Sequence, residues 1–164
     1  MHPEARALID RLRLQPIPGE GGWFRETWRS PLTLAGGAVA GVDSDRPAGT
    51  AILALFCQDP RGFSALHRLP IDEVWHFYGG DPLHHVVLHD DGAAVHLNLG
   101  DDEVQTVVPA GRWMGGRVVD GGRYALIGCT MAPGFVDSDC ELASRDELMA
   151  RYPDEADEII RLTR

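Results

Sequence analysis

Short runs in which apolar and polar side chains alternate, closed in nearly every case by Gly, Pro or Asp, follow one another through most of the chain. A period of two is what a half-buried strand requires, because successive side chains point to opposite faces. The runs predict strands at Ala51–Cys57, Ser64–Leu69, Glu73–Tyr78, His84–His89, Ala94–Leu99, Gln105–Val108, Arg117–Val119 and Tyr124–Cys129. An earlier strand, WFRETWRS, puts Trp23, Arg25 and Thr27 on one face and Phe24, Glu26 and Trp28 on the other. Between it and Ala51, residues 34–50 are rich in Gly, Ala and Asp and predict a mobile hairpin or loop. Many short strands separated by turn residues predict an antiparallel barrel or sandwich.

The period changes at both ends. Ala5, Leu8, Ile9 and Leu12 recur at helical spacing, predicting an amphipathic helix from about Pro3 to Leu14 that stops before Pro16. Ser144 and Glu147 form a capping box opening a helix through Arg151; Pro153 ends it, and Asp154–Leu162 offers a further turn or two. The expected organisation is one domain: an N-terminal helix over 1–15, a barrel over 20–142 and a helical segment over 144–162. A chain of 164 residues is long enough to bury roughly 70% of its unfolded surface.

Charge narrows the partners. With 25 acidic and 15 basic side chains, a net charge of -10 and no Lys/Arg cluster, nucleic acid and anionic membranes are poor partners. Cys57, Cys129 and Cys140 are odd in number and widely spaced, which favours neither a disulfide framework nor a zinc knuckle. With no signal peptide and no bilayer-length apolar run, the expectation is a cytoplasmic protein.

Candidate chemistry centres on Ser64–Gly80. Residues two apart on a strand share a face, so His67 and Leu69 point together into the barrel; after the turn at Pro70, Glu73, Trp75 and Phe77 share the inward face. His76 then points outward or toward a partner subunit. A buried imidazole must be paired or functional, and Glu73 is the expected partner of His67. His85 and His89 share a face of their strand and read as solvated histidines.

His67, Glu73 and Gly80 fit the pattern H-x-H-x3-E-x6-G of the cupin superfamily, with Leu69 in place of the second histidine. Pro109 and Gly111 match that superfamily's second motif, where Met114 replaces histidine and Val118 replaces asparagine. The phrases EGGWFRETWRS, SALHRL, DEVWHFYGGDPL, VVPAGRW and GCTMAPGF resemble a cupin family of unknown function, the Cupin_5 type of the RmlC-like group. The resemblance implies a double-stranded β-helix, the jelly-roll cupin barrel, with short terminal helices. It also implies that Cys140 fills a site where relatives carry Phe.

Metal-bearing cupins hold their ion with three imidazoles and one carboxylate. Only His67 and Glu73 remain of that set here, so no cofactor is expected, and a divalent metal held by these two through an atypical ligand set is the weaker alternative. Ala65-Leu66-His67 is similar to the Gly-Leu-His of dTDP-sugar epimerases, metal-free cupins of the RmlC type whose histidine is the base. The first expectation is therefore a small, polar or sugar-like ligand in the barrel, with epimerisation or isomerisation by His67 and Glu73. Arg25, Thr27, Trp75, Phe77, Gln105, Trp113, Met114 and Phe135 are the candidate ligand-binding residues. The other expectations are a non-catalytic binding or structural protein and the metal enzyme. Jelly rolls expose edge strands, so a homodimer is expected in each case.

Overall fold

A computed structural model describes residues 1–39 and 42–164. Helix α1 spans Pro3–Leu12; the strands are β1 (Gln15–Pro16), β2 (Trp23–Arg29), β3 (Thr33–Leu34), β4 (Arg46–Pro47), β5 (Thr50–Cys57), β6 (Ser64–Arg68), β7 (Glu73–Gly80), β8 (Leu83–Leu88), β9 (Ala94–Leu99), β10 (Gln105–Val108), β11 (Trp113–Val118), β12 (Tyr124–Met131) and β13 (Glu141–Leu142). A 3-10 turn at Asp137–Asp139 precedes β13, and α2 (Arg145–Arg151) and α3 (Ala156–Arg161) follow it.

Antiparallel pairing builds a six-stranded sheet in the order β1-β2-β5-β12-β7-β10 and a five-stranded sheet in the order β13-β6-β11-β8-β9. Their inner faces share one apolar core: Phe56, Trp75, Ile127 and Met131 from the first sheet meet Leu83, Val87, Met114 and Val118 from the second. This is the antiparallel sandwich that the alternating pattern predicts, in the jelly-roll form that the cupin resemblance implies. The segment read as a mobile loop holds the β3–β4 hairpin and buries Val42 in the core, while residues 40–41 fall outside the described ones.

Helices bury what the strands leave outside. Pro3 at the first helical position, the His2 ring accepting from the Glu4 amide and Arg13 in the left-handed conformation bound α1. Its Ala5 and Ile9 cover Leu55 and Cys57, the outward residues of β5. On the other sheet, Leu66, Val86, Leu88 and Trp113 point outward and are covered by Leu148, Tyr152 and Ile159 of the C-terminal segment. The expected capping box is absent: Ser144 occupies the N-cap of α2, but its side chain makes no cap hydrogen bond. The ladder starts from its carbonyl, which accepts from the Leu148 amide at 3.0 Å. Among the described residues no helix is long and apolar enough to cross a membrane.

Candidate functional site

Between the sheets lies a cavity of about 830 Å³. Its walls are largely apolar, with Phe24, Ile52, Phe56, Leu69, Trp75, Met131 and Phe135 contributing, and its polar groups include Glu20, Glu26, Arg29, His67, Glu73, Asp137 and two cysteines, Cys129 and Cys140. His67 and Glu73 are 3% and 7% exposed, so burial dominates their chemistry.

Strand parity on β6 and β7 turns His67, Leu69, Glu73 and Trp75 inward, but the two expected partners do not bind each other directly. The His67 Nδ1 sits 2.8 Å from the Ala65 carbonyl and 3.8 Å from Glu20 Oε1. The Glu73 carboxylate instead accepts from Trp75 Nε1 at 2.7 Å, and the buried Cys129 lines the same cavity. Burial pulls the His67 pKa down, yet the charges of Glu20 and then Glu73, with the Ala65 carbonyl, outweigh it and hold the imidazole above its ordinary value. Burial raises the Glu73 pKa against the opposing pull of His67. The Cys140 thiol is pushed up to about 12, first by burial and then by Glu20 and Glu73. The arrangement is thus a buried imidazole that feels two carboxylates, Glu20 and Glu73, at the inner end of a cavity open to the surface and partly lined by aromatic rings.

A donating Nδ1–H on the Ala65 carbonyl leaves Nε2 as the basic nitrogen, and among the described residues Nε2 has no hydrogen-bond partner. Glu20 reaches His67 because the chain doubles back through Gly21 and Gly22, both at positive φ. The Glu20 carbonyl accepts from the Ala65 amide at 3.1 Å, and its carboxylate accepts from Ser64 Oγ at 2.7 Å. A Cβ on Gly21 would lie 2.6 Å from the Phe63 carbonyl oxygen, which is backbone and cannot step aside. Gly21→Ala is expected to cost about 1–3 kcal/mol, read by urea denaturation.

The structure corrects several expected ligand contacts. On β2 the inward residues are Phe24, Glu26 and Arg29, because a bulge between Glu26 and Trp28 shifts the register; Arg25 and Thr27 are exposed, and Thr27 Oγ1 donates to the Ala51 carbonyl. Trp113 lies on the outer face beneath Arg68, whose guanidinium carbon is 4.6 Å from the ring centroid. Gln105 is exposed and bonds His76 Nδ1 at 2.8 Å. Phe77 and Met114 pack in the core without lining the cavity, whereas Trp75, Phe135 and Cys140 do line it. His85 is no solvated histidine: it is 0% exposed, 4.6 Å from the Trp75 ring, with neither ring nitrogen hydrogen-bonded among the described residues. His89 lies beyond the end of β8.

Metal ligation of the three-imidazole, one-carboxylate kind does not fit these residues. Met114 stands directly opposite His67 in the β6–β11 ladder, and Leu69 fills the next inward position, so two coordinating places carry no imidazole. Among the described residues no three His, Cys, Asp or Glu side chains are grouped to hold an ion.

The family model described as Cupin superfamily (DUF985) matches residues 6–143. A hypothetical protein from Leishmania major is similar in structure with a TM-score of 0.83 and 31% identity, over 97% of this chain and 98% of that one. A protein from Shewanella oneidensis gives a TM-score of 0.80 and 30% identity, over 98% and 97%. Oxalate decarboxylase from Bacillus subtilis, at 13% identity and a TM-score of 0.53 over 91% of this chain and 37% of that one, shares the fold alone. No curated protein matches the chain. A family match over residues 6–143, together with two full-length structural relatives at 30% identity or more, shows that the chain belongs to the DUF985 family of the cupin superfamily.

Proposed function

We propose that the protein binds a small, polar-headed organic molecule in the barrel and moves a proton on it without a metal, His67 acting as the base. The observation that carries this reading is the pair of buried groups His67 and Glu73, with the partly buried Glu20 beside them, on the wall of a largely apolar cavity. A core built only for stability gains little from three ionisable side chains, each of which loses hydration on burial. A cavity of about 830 Å³ lies within the range that holds a small metabolite.

In this scheme Nε2 of His67 takes a proton from carbon or hydroxyl. Glu20 and Glu73 stabilise the imidazolium that forms, and Nδ1 stays anchored on the Ala65 carbonyl. Return of that proton by the His67 imidazolium to a neighbouring atom on the same face is isomerisation; protonation of the opposite face of the same carbon by water, with the imidazolium later giving its proton to solvent, is epimerisation. The test is a thermal-shift screen of small sugars, hydroxy acids and amines, followed by incubation of every stabilising compound in D2O. Wild type is expected to wash deuterium into a C–H of the bound compound, detected by mass spectrometry, and His67→Gln to lose that exchange by at least a hundredfold. Stabilisation with no exchange for any compound would leave binding and remove catalysis.

A further inference from the structure

From the balance of charge and aromatic surface in the cavity, we infer that its ligand is an organic ammonium, bound by the carboxylates of Glu73 and Glu20 and by the faces of the surrounding aromatic rings. This rests on the cavity being a ligand site, as argued above, and names the chemical class that it selects.

Four carboxylates face the space, those of Glu20, Glu26, Glu73 and Asp137, against one guanidinium and one imidazole. The guanidinium is already engaged. Arg29 binds both oxygens of Glu26, at 2.6 and 3.0 Å, and donates to the Phe135 carbonyl at 3.2 Å. Arg29 and Glu26 are half-exposed at the mouth, so an arriving anion meets a guanidinium already neutralised by Glu26 and, further in, a His67 imidazole beside Glu20. Glu73 is the least exposed of the four, and its hydrogen-bond partner is an indole N–H, which carries no positive charge. Among the described residues the cationic group beside it is the His67 imidazole, which Glu20 shares, so two carboxylates face one imidazole and can take up a second positive charge.

The walls suit the same guest. Phe24, Phe56, Trp75 and Phe135 line the space; Trp75 is engaged by Phe56 at 6.2 Å and by His85 at 4.6 Å, so the partly buried Phe24 and Phe135 are the rings more open to a guest. Ring faces attract a cation and offer nothing to an anion. A buried ammonium needs both a counter-charge and hydrogen-bond acceptors, and Glu73 and Glu20 supply both. The net charge of -10 adds a field that draws cations and repels anions at longer range. A nucleotide sugar, the guest expected from the resemblance of Ala65-Leu66-His67 to metal-free epimerases, carries the opposite charge and finds no unpaired arginine among the described residues that line the cavity.

The experiment uses the full chain and three probes built on one ring: cyclohexylamine, cyclohexanol and cyclohexanecarboxylate, each followed by calorimetry and thermal shift at pH 7. Cyclohexylamine is expected to bind at least tenfold more tightly than cyclohexanol, and the carboxylate to give no shift. Glu73→Gln is expected to abolish the preference for the amine while cyclohexanol binding stays within threefold. Glu20→Gln, at a partly exposed residue, gives the same reading if the first variant does not fold. Equal or tighter binding of the alcohol or the carboxylate overturns the ammonium assignment and leaves the cavity a ligand site. Failure of all three, together with a failed broad screen, overturns both.

Discussion

Asp139→Ala is expected to lower the unfolding free energy by about 3–5 kcal/mol, because it strands a buried cation. Arg46, on β4, is 4% exposed; its guanidinium binds Asp139 at 2.7 Å through Nη1 and Ser44 Oγ at 3.1 Å through Nη2. Its Nε is buried with no partner among the described residues. The carboxylate is therefore the counter-charge of a group that water does not reach, and alanine leaves that charge uncompensated. The pair also ties the β3–β4 hairpin to the 3-10 turn beside Asp137 and Cys140, which line the cavity. Loss of stability should therefore come with weaker ligand binding. The double substitution Arg46→Met with Asp139→Leu is expected to recover most of the loss, since a buried apolar pair of similar volume avoids the desolvation of both charges. Urea unfolding of the two single variants and the double closes the cycle. A single-variant loss under about 1 kcal/mol would mean that solvent reaches the guanidinium.

The sandwich and the inward face of β6 and β7 were readable from sequence because there the alternation is unambiguous: Leu69 and Trp75 share a parity with His67 and Glu73. Parity fails where both faces of a strand are buried. On β11, Trp113 and Met114 are neighbours and cannot both face the barrel, yet both are apolar because α2 and α3 cover the outer face. On β2 an extra residue in a bulge moves Arg29 inward, and the aromatic pair Trp23–Phe24 gives no sign of which side is core. Glu20 lies in a turn, where periodicity carries no information; only its position before two glycines marks a chain reversal. The cysteines escaped for a different reason: an isolated buried thiol is indistinguishable in sequence from a small apolar filler.

His85 is the sharpest instance of the same ambiguity, since β8 offers one histidine to each face. His84 takes the outward one and bonds Asn98, 3.2 Å away, so the inward ring is left in the core beside Trp75. Each unpaired buried polar atom costs about 1–3 kcal/mol. His85→Leu, which fills nearly the same volume, is therefore expected to stabilise the protein by about 1–3 kcal/mol at pH 7. Acid should widen the gap. Burial, reinforced by His67 and His84, depresses the His85 pKa from its ordinary 6.5 to about 3. Between those values the unfolded chain takes up a proton that the folded chain refuses, so the wild type loses stability as pH falls, at about 1.4 kcal/mol per pH unit. Leucine removes that loss, and the difference between the proteins should be larger at pH 4 than at pH 7 by roughly 3 kcal/mol. The raised pKa values of His67 and Glu73 act on both proteins alike and largely cancel in the comparison. Thermal and urea unfolding of the pair at both pH values measures it. A leucine variant less stable at pH 7, or a gap that does not move with pH, would show that the ring is satisfied in solution. The imidazole beneath Trp75 would then belong to the working cavity and not to the packing around it.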